Sequence, residues 1–163
     1  MYKIGIITVS DKGSRGERVD ESGPAIRDMV KSLGEVTSYV VVPDDLDLLK
    51  EAMINMSDKE KIDLVFTSGG TGFSPRDNTP EATLAVIHKQ APGLAEAMRA
   101  ESLKKTNRAM LSRAVAGIRN STLIINMPGS VKAVRECLAV IMPALPHGLE
   151  ILTGRGGECG STE

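Results

Sequence analysis

The chain has no tryptophan, two cysteines and few aromatic residues. Two Tyr and two Phe make up 2% of its 163 residues, too few for the stacked aromatic surfaces that hold single-stranded nucleic acids. Cys137 and Cys159 show neither metal-ligand spacing nor a disulfide framework. With 20 Lys and Arg against 21 Asp and Glu, no long-range field attracts nucleic acid or an anionic membrane. An anionic ligand must therefore be held by a local site.

Long apolar segments are also missing. No run approaches the 18 residues of a membrane span, and the first residues lack the pattern of a secretory leader. The content of 41% hydrophobic and 25% charged residues is ordinary for a cytosolic globular protein. We therefore expect a cytoplasmic location, one domain over residues 1–153 and a flexible tail over residues 154–163.

Short apolar runs alternate with helical patterns along the chain. The alternation predicts an α/β protein with a mostly parallel sheet and helices on both faces, and it makes residues 115–118 an antiparallel edge strand. A connection of four residues, 119–122, joins that strand to the next one. Helix starts are predicted at Thr79, Pro92 and Ser130, a helix stop at Gly34 and a last helix over residues 147–152. The other predicted strands are residues 4–9, 36–42, 62–66 and 123–125.

Four polar segments follow predicted strands. They are residues 10–17, 43–45, 67–77 and 126–130. In an open parallel sheet, ligands bind outside the carboxyl ends of the strands, so we expect these segments to meet at one rim. The first is expected to be a loop, either a mobile lid whose Ser10 and Asp11 touch the ligand or a solvated surface loop.

The glycine-rich run over residues 67–72 carries the strongest local signal. Gly69, Gly70 and Gly72 permit left-handed backbone, which can turn successive amide N–H groups toward an anion. The hydroxyls of Thr67, Ser68 and Thr71 add hydrogen-bond donors. A tight turn without a ligand is the alternative. The run matches neither the P-loop nor the dinucleotide-binding glycine pattern.

Charged residues and a helix start complete the candidate site. Arg76 can neutralise phosphate oxygens, and Asp44 and Asp77 can hold Mg²⁺ against a polyphosphate. Both acids lie near predicted helix starts, so capping is the alternative. The segment Pro128-Gly129-Ser130 opens a helix directly after a strand, and its free N–H groups and dipole favour an anion.

In this order and combination, the motifs closely resemble the molybdopterin-binding MogA/MoaB family of molybdenum cofactor biosynthesis. The likeness spans residues 3 to about 152. It implies a three-layer molybdopterin-binding fold, a homotrimer or a hexamer, and hand-over of product to a molybdenum insertase. It also implies ATP, molybdopterin and Mg²⁺ as ligands. The family's two functional aspartates correspond to Asp44 and Asp77, its nucleotide loop to residues 68–72, and its helix-start loop to Gly129 and Ser130.

The resemblance implies an enzyme that transfers AMP from Mg-ATP to the phosphate of molybdopterin, releasing pyrophosphate. A MoaB-like protein that binds molybdopterin without turnover is the second hypothesis. A third is hydrolysis of a pyrophosphate bond in a dinucleotide, as in wider relatives with an additional domain. The presence of both Asp44 and Asp77 favours the first.

Overall fold

A six-stranded sheet forms the centre of the computed structural model, which describes residues 1–156. The strands are β1 (Tyr2–Val9), β2 (Gly34–Val42), β3 (Leu64–Ser68), β4 (Lys89–Gln90), β5 (Ala116–Arg119) and β6 (Thr122–Met127). The α-helices are α1 (Asp11–Ser14), α2 (Ser22–Met29), α3 (Leu46–Ile54), α4 (Thr79–Val86), α5 (Pro92–Leu103), α6 (Val131–Ile141) and α7 (Leu145–Thr153). A π-helix, Asn55–Lys59, and a 3-10 helix, Asn107–Leu111, complete the set.

The strand order across the sheet is β2-β1-β3-β6-β5-β4. The first four are parallel, and β5 runs antiparallel to β6. The predicted mixed sheet is confirmed. Beyond the antiparallel strand β5, the two-residue strand β4 forms the edge of the sheet. The predicted four-residue connection was too long. It contains only Asn120 and Ser121, because the pairing continues to Arg119 and Thr122 and Asn120 takes a left-handed φ of 52°.

Helices cover both faces of the sheet, which gives three layers. On one face Ile4, Ile6 and Phe66 pack in a core with residues of α2, α5, α6 and α7. On the other face Ile7 and Val65 pack with residues of α3 and α4. Successive strand residues point to opposite faces, and both sets are fully buried. The continuous apolar runs in the sequence reflect this burial on two sides.

Three local predictions need correction. Residues 11–14 form a short helix, not loop, because the Ser10 hydroxyl accepts a hydrogen bond from Gly13 N and caps it. Helix α2 ends at Met29 and Gly34 begins β2; a side chain there would meet the Tyr2 carbonyl at 2.2 Å. Helix α7 starts at Leu145, not at residue 147, since Pro146 fits a first turn that needs no N–H.

The end of α7 is fastened to the sheet. Gly154 closes the helix with φ 67°, and Arg155 forms an ion pair of 3.0 Å with Asp63 and stacks over Tyr2. Most of the predicted tail, including Cys159, lies outside the described residues. Within residues 1–156 no single helix is long and apolar enough to cross a membrane; α6 and α7, bent by 67°, reach that length and composition only as a pair.

Candidate functional site

The four predicted polar segments meet at the carboxyl end of the parallel strands. Gly69 N donates to the Met127 carbonyl at 3.1 Å, and Ser10 N donates to the Val42 carbonyl at 2.9 Å. A side-chain carbon built on Gly129 would lie 3.5 Å from Gly69 Cα. The segments therefore touch one another and form a continuous rim.

The glycine-rich turn has a backbone that other residues cannot adopt without strain. Gly69 and Gly70 have φ of 100° and 69°. A side-chain carbon would lie 2.6 Å from the Val9 carbonyl oxygen at Gly69 and 2.3 Å from Thr79 Oγ1 at Gly70. In the part of the chain that the structure describes, the N–H groups of residues 70–72 donate to no protein acceptor. Successive free amides of this kind suit an anion.

Asp44 and Asp77 lie close to two different glycines of this turn. A side-chain carbon on Gly70 would lie 2.8 Å from Asp44 Oδ1, and one on Gly72 would lie 3.0 Å from Asp77 Oδ2. Neither acid caps a helix. The cap of α3 is Asp45, which accepts from Leu48 N, and the cap position of α4 is Asn78. The capping alternative is therefore wrong for both Asp44 and Asp77.

Asp44 is electrostatically unfavourable in its ionised form. Its Oδ1 atom is buried and has no hydrogen-bond partner. Burial, followed by the negative charges of Asp11 and Asp77, raises the pKa of Asp44 to about 6. A cation would relieve both effects, so this carboxylate and Asp77 fit Mg²⁺. Among the described residues no group of three or more His, Cys, Asp or Glu is arranged to hold a metal, so further ligands must be phosphate oxygens and water.

Arg76 is paired with a side chain that was itself predicted to touch the ligand. Its Nε and Nη2 atoms donate to the two carboxylate oxygens of Asp11 at 2.6 and 2.9 Å. The Arg76 guanidinium holds the pKa of Asp11 below its usual range. Asp11 also accepts from Asp44 N at 3.0 Å. A phosphate that binds Arg76 must therefore compete with Asp11, which sequence reasoning did not foresee.

An open cleft of about 770 Å³ adjoins the turn and includes the predicted residues Ser10, Ser68, Gly129 and Ser130 in its lining. Its lining also contains polar residues that the sequence did not single out for the site, among them Asp20 and Ser22. The Asp20 carboxylate accepts from Thr8 Oγ1 at 2.8 Å, from Ser22 N and Oγ, from Gly23 N, and from the Tyr39 hydroxyl. Burial raises the pKa of Asp20, but these hydrogen bonds outweigh it and lower the pKa overall.

Two predicted hydroxyl donors are occupied within the protein. Thr67 is fully buried, because it belongs to β3 and lies opposite Asn126, whose Nδ2 donates to Thr67 Oγ1 at 3.0 Å. Its hydroxyl is thus part of the core and not of the rim. Ser68 Oγ donates to the Pro128 carbonyl at 2.8 Å, and Ser130 Oγ caps α6 by accepting from Ala133 N at 3.2 Å.

Fold and site together define a class: an α/β protein with a mostly parallel sheet, whose rim offers free amides and two acids beside an open cleft. Over residues 5–147 the chain matches the family described as probable molybdopterin binding domain, and it belongs to that family.

Known relatives cover nearly the whole chain. Molybdopterin adenylyltransferase of Helicobacter pylori J99 is 45% identical, over 93% of this chain and 88% of the relative. The crystal structure of the molybdopterin biosynthesis enzyme MoaB from Thermus thermophilus superposes with a TM-score of 0.89 at 50% identity, over 94% of this chain and 98% of that one. Gephyrin of Dictyostelium discoideum is 42% identical, but the chain spans only 23% of its length.

Proposed function

We propose that the protein is a molybdopterin adenylyltransferase of molybdenum cofactor biosynthesis. It transfers AMP from Mg-ATP to the phosphate of molybdopterin and releases pyrophosphate. The observation that carries the proposal is the placement of Asp44 and Asp77 close to a turn with three unpaired amides. The similarity to the Helicobacter pylori adenylyltransferase supports the same activity.

In this reaction the amides of residues 70–72 hold phosphate oxygens of the nucleotide. Asp44 and Asp77 hold Mg²⁺, which supplies charge neutralisation to the polyphosphate when bound. A phosphate oxygen of molybdopterin forms a bond to the α-phosphorus of ATP, while the bond from that phosphorus to the bridging oxygen breaks and pyrophosphate leaves. The attacking phosphate is largely ionised near neutral pH, so no side chain has to remove a proton.

The histidines fit this assignment. His88 lies at the other end of the sheet, where its Nδ1 accepts from Asn120 N at 3.2 Å and its Nε2 lies 3.4 Å from Arg119 Nη1. His147 is an exposed residue of α7. Positioning and electrostatic stabilisation, without a covalent intermediate, therefore carry the proposed chemistry.

The non-catalytic alternative is a protein that binds molybdopterin without turnover. It requires the cleft but gives no role to a buried, unpartnered carboxylate beside the turn. Asp44 Oδ1 is such a group, and it favours the enzyme.

The assembly is proposed to be a homotrimer, with a hexamer as the alternative, and the product to pass to a molybdenum insertase. Exposed apolar side chains close to the turn offer a contact surface, with Phe73 and Met110 67% and 66% exposed. Light scattering would measure the mass of the assembly. Because the reaction consumes ATP, we propose the cytoplasm as its location.

The deciding experiment measures pyrophosphate release from purified protein with ATP, Mg²⁺ and molybdopterin. Release is expected only when all three are present, and mass spectrometry should detect adenylyl-molybdopterin in equal amount. Omission of molybdopterin distinguishes transfer from simple ATP hydrolysis. Binding of molybdopterin without adenylylation would instead establish the non-catalytic function.

A further inference from the structure

Arg113 binds main-chain carbonyls of the glycine-rich turn and of Asp77. It lies between the 3-10 helix and β5, and its main-chain N donates to the Thr71 carbonyl at 2.8 Å. Its guanidinium donates through Nε to the Gly72 carbonyl at 2.8 Å and through Nη2 to the Asp77 carbonyl at 2.9 Å. One residue thus fixes three carbonyl groups around the proposed site.

The guanidinium is itself held in place. Its Nη1 donates to both carboxylate oxygens of Glu81 in the first turn of α4, at 2.5 and 2.9 Å. On the other side, Arg99 of α5 donates through Nη1 to the carbonyls of Ser112 and Ala114, the two neighbours of Arg113, at 3.3 and 2.7 Å. Charge-assisted, planar bonds of this kind restrict orientation more than a single flexible donor does.

These contacts determine which way the turn faces. Carbonyls 71, 72 and 77 are engaged by Arg113, while the amides of residues 70–72 remain unpaired. The other fixed points of Asp77 are local: its N donates to the Ser74 carbonyl, and its Oδ2 accepts from Ser74 N at 3.1 Å. Arg113 therefore links Gly72 and Asp77 directly to the body of the fold, while Thr79 holds the carbonyls of Gly69 and Gly70.

We propose that Arg113 is a positioning residue for the reaction, which orients Asp77 toward Mg²⁺ and the free amides toward phosphate. It touches neither ligand and acts through Gly72 and Asp77. The inference rests on the proposed function, which it extends to a residue outside every motif of the rim.

The test compares Arg113→Ala and Arg113→Lys with Arg119→Ala as the matched control. Arg119 also binds a carboxylate, Asp58, and a carbonyl, that of Val86, but at the opposite end of the sheet. A lysine at position 113 keeps the charge and one donor nitrogen, so it favours folding yet cannot span the Gly72 and Asp77 carbonyls together with Glu81.

Two readouts are measured for each variant: adenylylation rate against Mg²⁺ concentration, and Mn²⁺ binding in the presence of ATP by electron paramagnetic resonance. For Arg113→Ala we expect a rate reduced about 10- to 100-fold at saturating ATP, together with weaker Mn²⁺ binding and a higher Mg²⁺ requirement. Arg113→Lys should be intermediate. Arg119→Ala should lose thermal stability but keep the wild-type metal dependence.

Wild-type Mg²⁺ dependence and Mn²⁺ binding in both Arg113 variants would overturn the inference, as would equal changes in metal binding for Arg119→Ala. Failure of the proposed function looks different, because the wild type itself then releases no pyrophosphate. The Mn²⁺ measurement still tests Arg113 in that case, since it requires no turnover.

Discussion

Carboxylates lie at both ends of the parallel strands, and their hydrogen bonding and pKa shifts are opposite at the two ends. At the amino end, Asp58 accepts from Arg119 Nε and Nη2 at 3.0 and 2.7 Å and from Asn120 Nδ2 at 3.0 Å. The Arg119 hydrogen bonds hold the pKa of Asp58 below its usual value. At the carboxyl end, Asp44 has a buried oxygen without a partner and a pKa raised to about 6.

The difference separates an end whose carboxylate is satisfied within the protein from the end that carries the proposed site. Buried polar groups are normally satisfied by hydrogen bonds, and an orphaned one costs stability. At the amino end the chain satisfies its own carboxylate, so that cluster fixes β5 and the π-helix. At the carboxyl end the chain leaves an acid and several amides for a ligand. The contrast suggests that substitutions at the two ends will affect different properties.

The largest expected effect is on turnover. Asp77→Asn keeps the size of the side chain but removes the charge proposed to hold Mg²⁺, so adenylylation should fall by at least about 10³-fold. Molybdopterin affinity, measured by calorimetry, should fall only modestly, since the cleft is unchanged. Undiminished turnover would remove the metal role from Asp77.

Gly70→Ala should affect both turnover and stability. The new methyl group would lie 2.3 Å from Thr79 Oγ1 at a φ of 69°, so we expect about 2–3 kcal/mol of destabilisation in urea unfolding. Gly148→Ala is the control, because its methyl group enters open space in α7 and should be neutral or stabilising by about 0.5–1 kcal/mol. A stable, active Gly70→Ala protein would show that the turn tolerates another conformation.

Arg119→Ala should affect stability alone. It removes the charged donor to the Val86 carbonyl, at a cost of about 2 kcal/mol. It also leaves Asp58 without its cation. The specific activity of the folded fraction, assayed well below the melting temperature, should equal that of the wild type. A selective loss of activity would contradict the division between the two ends.

The smallest effect is a gain in stability. Asp44 has a folded-state pKa of about 6 against an ordinary value of 3.8, so the folded state binds this proton more tightly than the unfolded state does. Ionisation of Asp44 therefore lowers stability as pH rises from about 4 to about 6. Asp44→Asn should match the wild type near pH 4 and exceed it above pH 6 by about 1 kcal/mol, allowing for solvent screening.

Thermal unfolding across that pH range, without divalent cations, measures the difference. The same variant should lose adenylylation, because Mg²⁺ loses a ligand. Equal stability of the two proteins at pH 7.5 would show that the Asp44 carboxylate carries no electrostatic penalty.

Much of the fold could be predicted from local patterns. The apolar runs of β1 and β3 identified strands buried on both faces, and α5 starts at Pro92 as predicted. The predicted ends of helices and strands were wrong where a tertiary contact determined them. Gly34 resembled a helix stop, yet it belongs to β2 because only glycine fits against the Tyr2 carbonyl.

The glycines and acids of the candidate site were predicted from the sequence. The residues that hold them in place were not. Arg113 belongs to no motif, and its contacts with residues 72, 77 and 81 span 32 to 41 positions along the chain. Asp20 was not predicted to belong to the site, because its bonds to Thr8 and Tyr39 depend on strand neighbours. Arg76 was expected to bind the ligand, and its pairing with Asp11 was not predicted.

The sequence alone determined where polar segments interrupt the apolar strands, because periodicity, glycine and proline act over a few neighbouring residues. It thereby specified a parallel sheet and the residue types along its rim. Only the tertiary structure decided which of those groups remain unpaired. Hydrogen-bond satisfaction depends on distant segments that folding brings together. Within residues 1–156 those segments supply no partner for Asp44 Oδ1 or for the amides of residues 70–72, which stay available to a ligand.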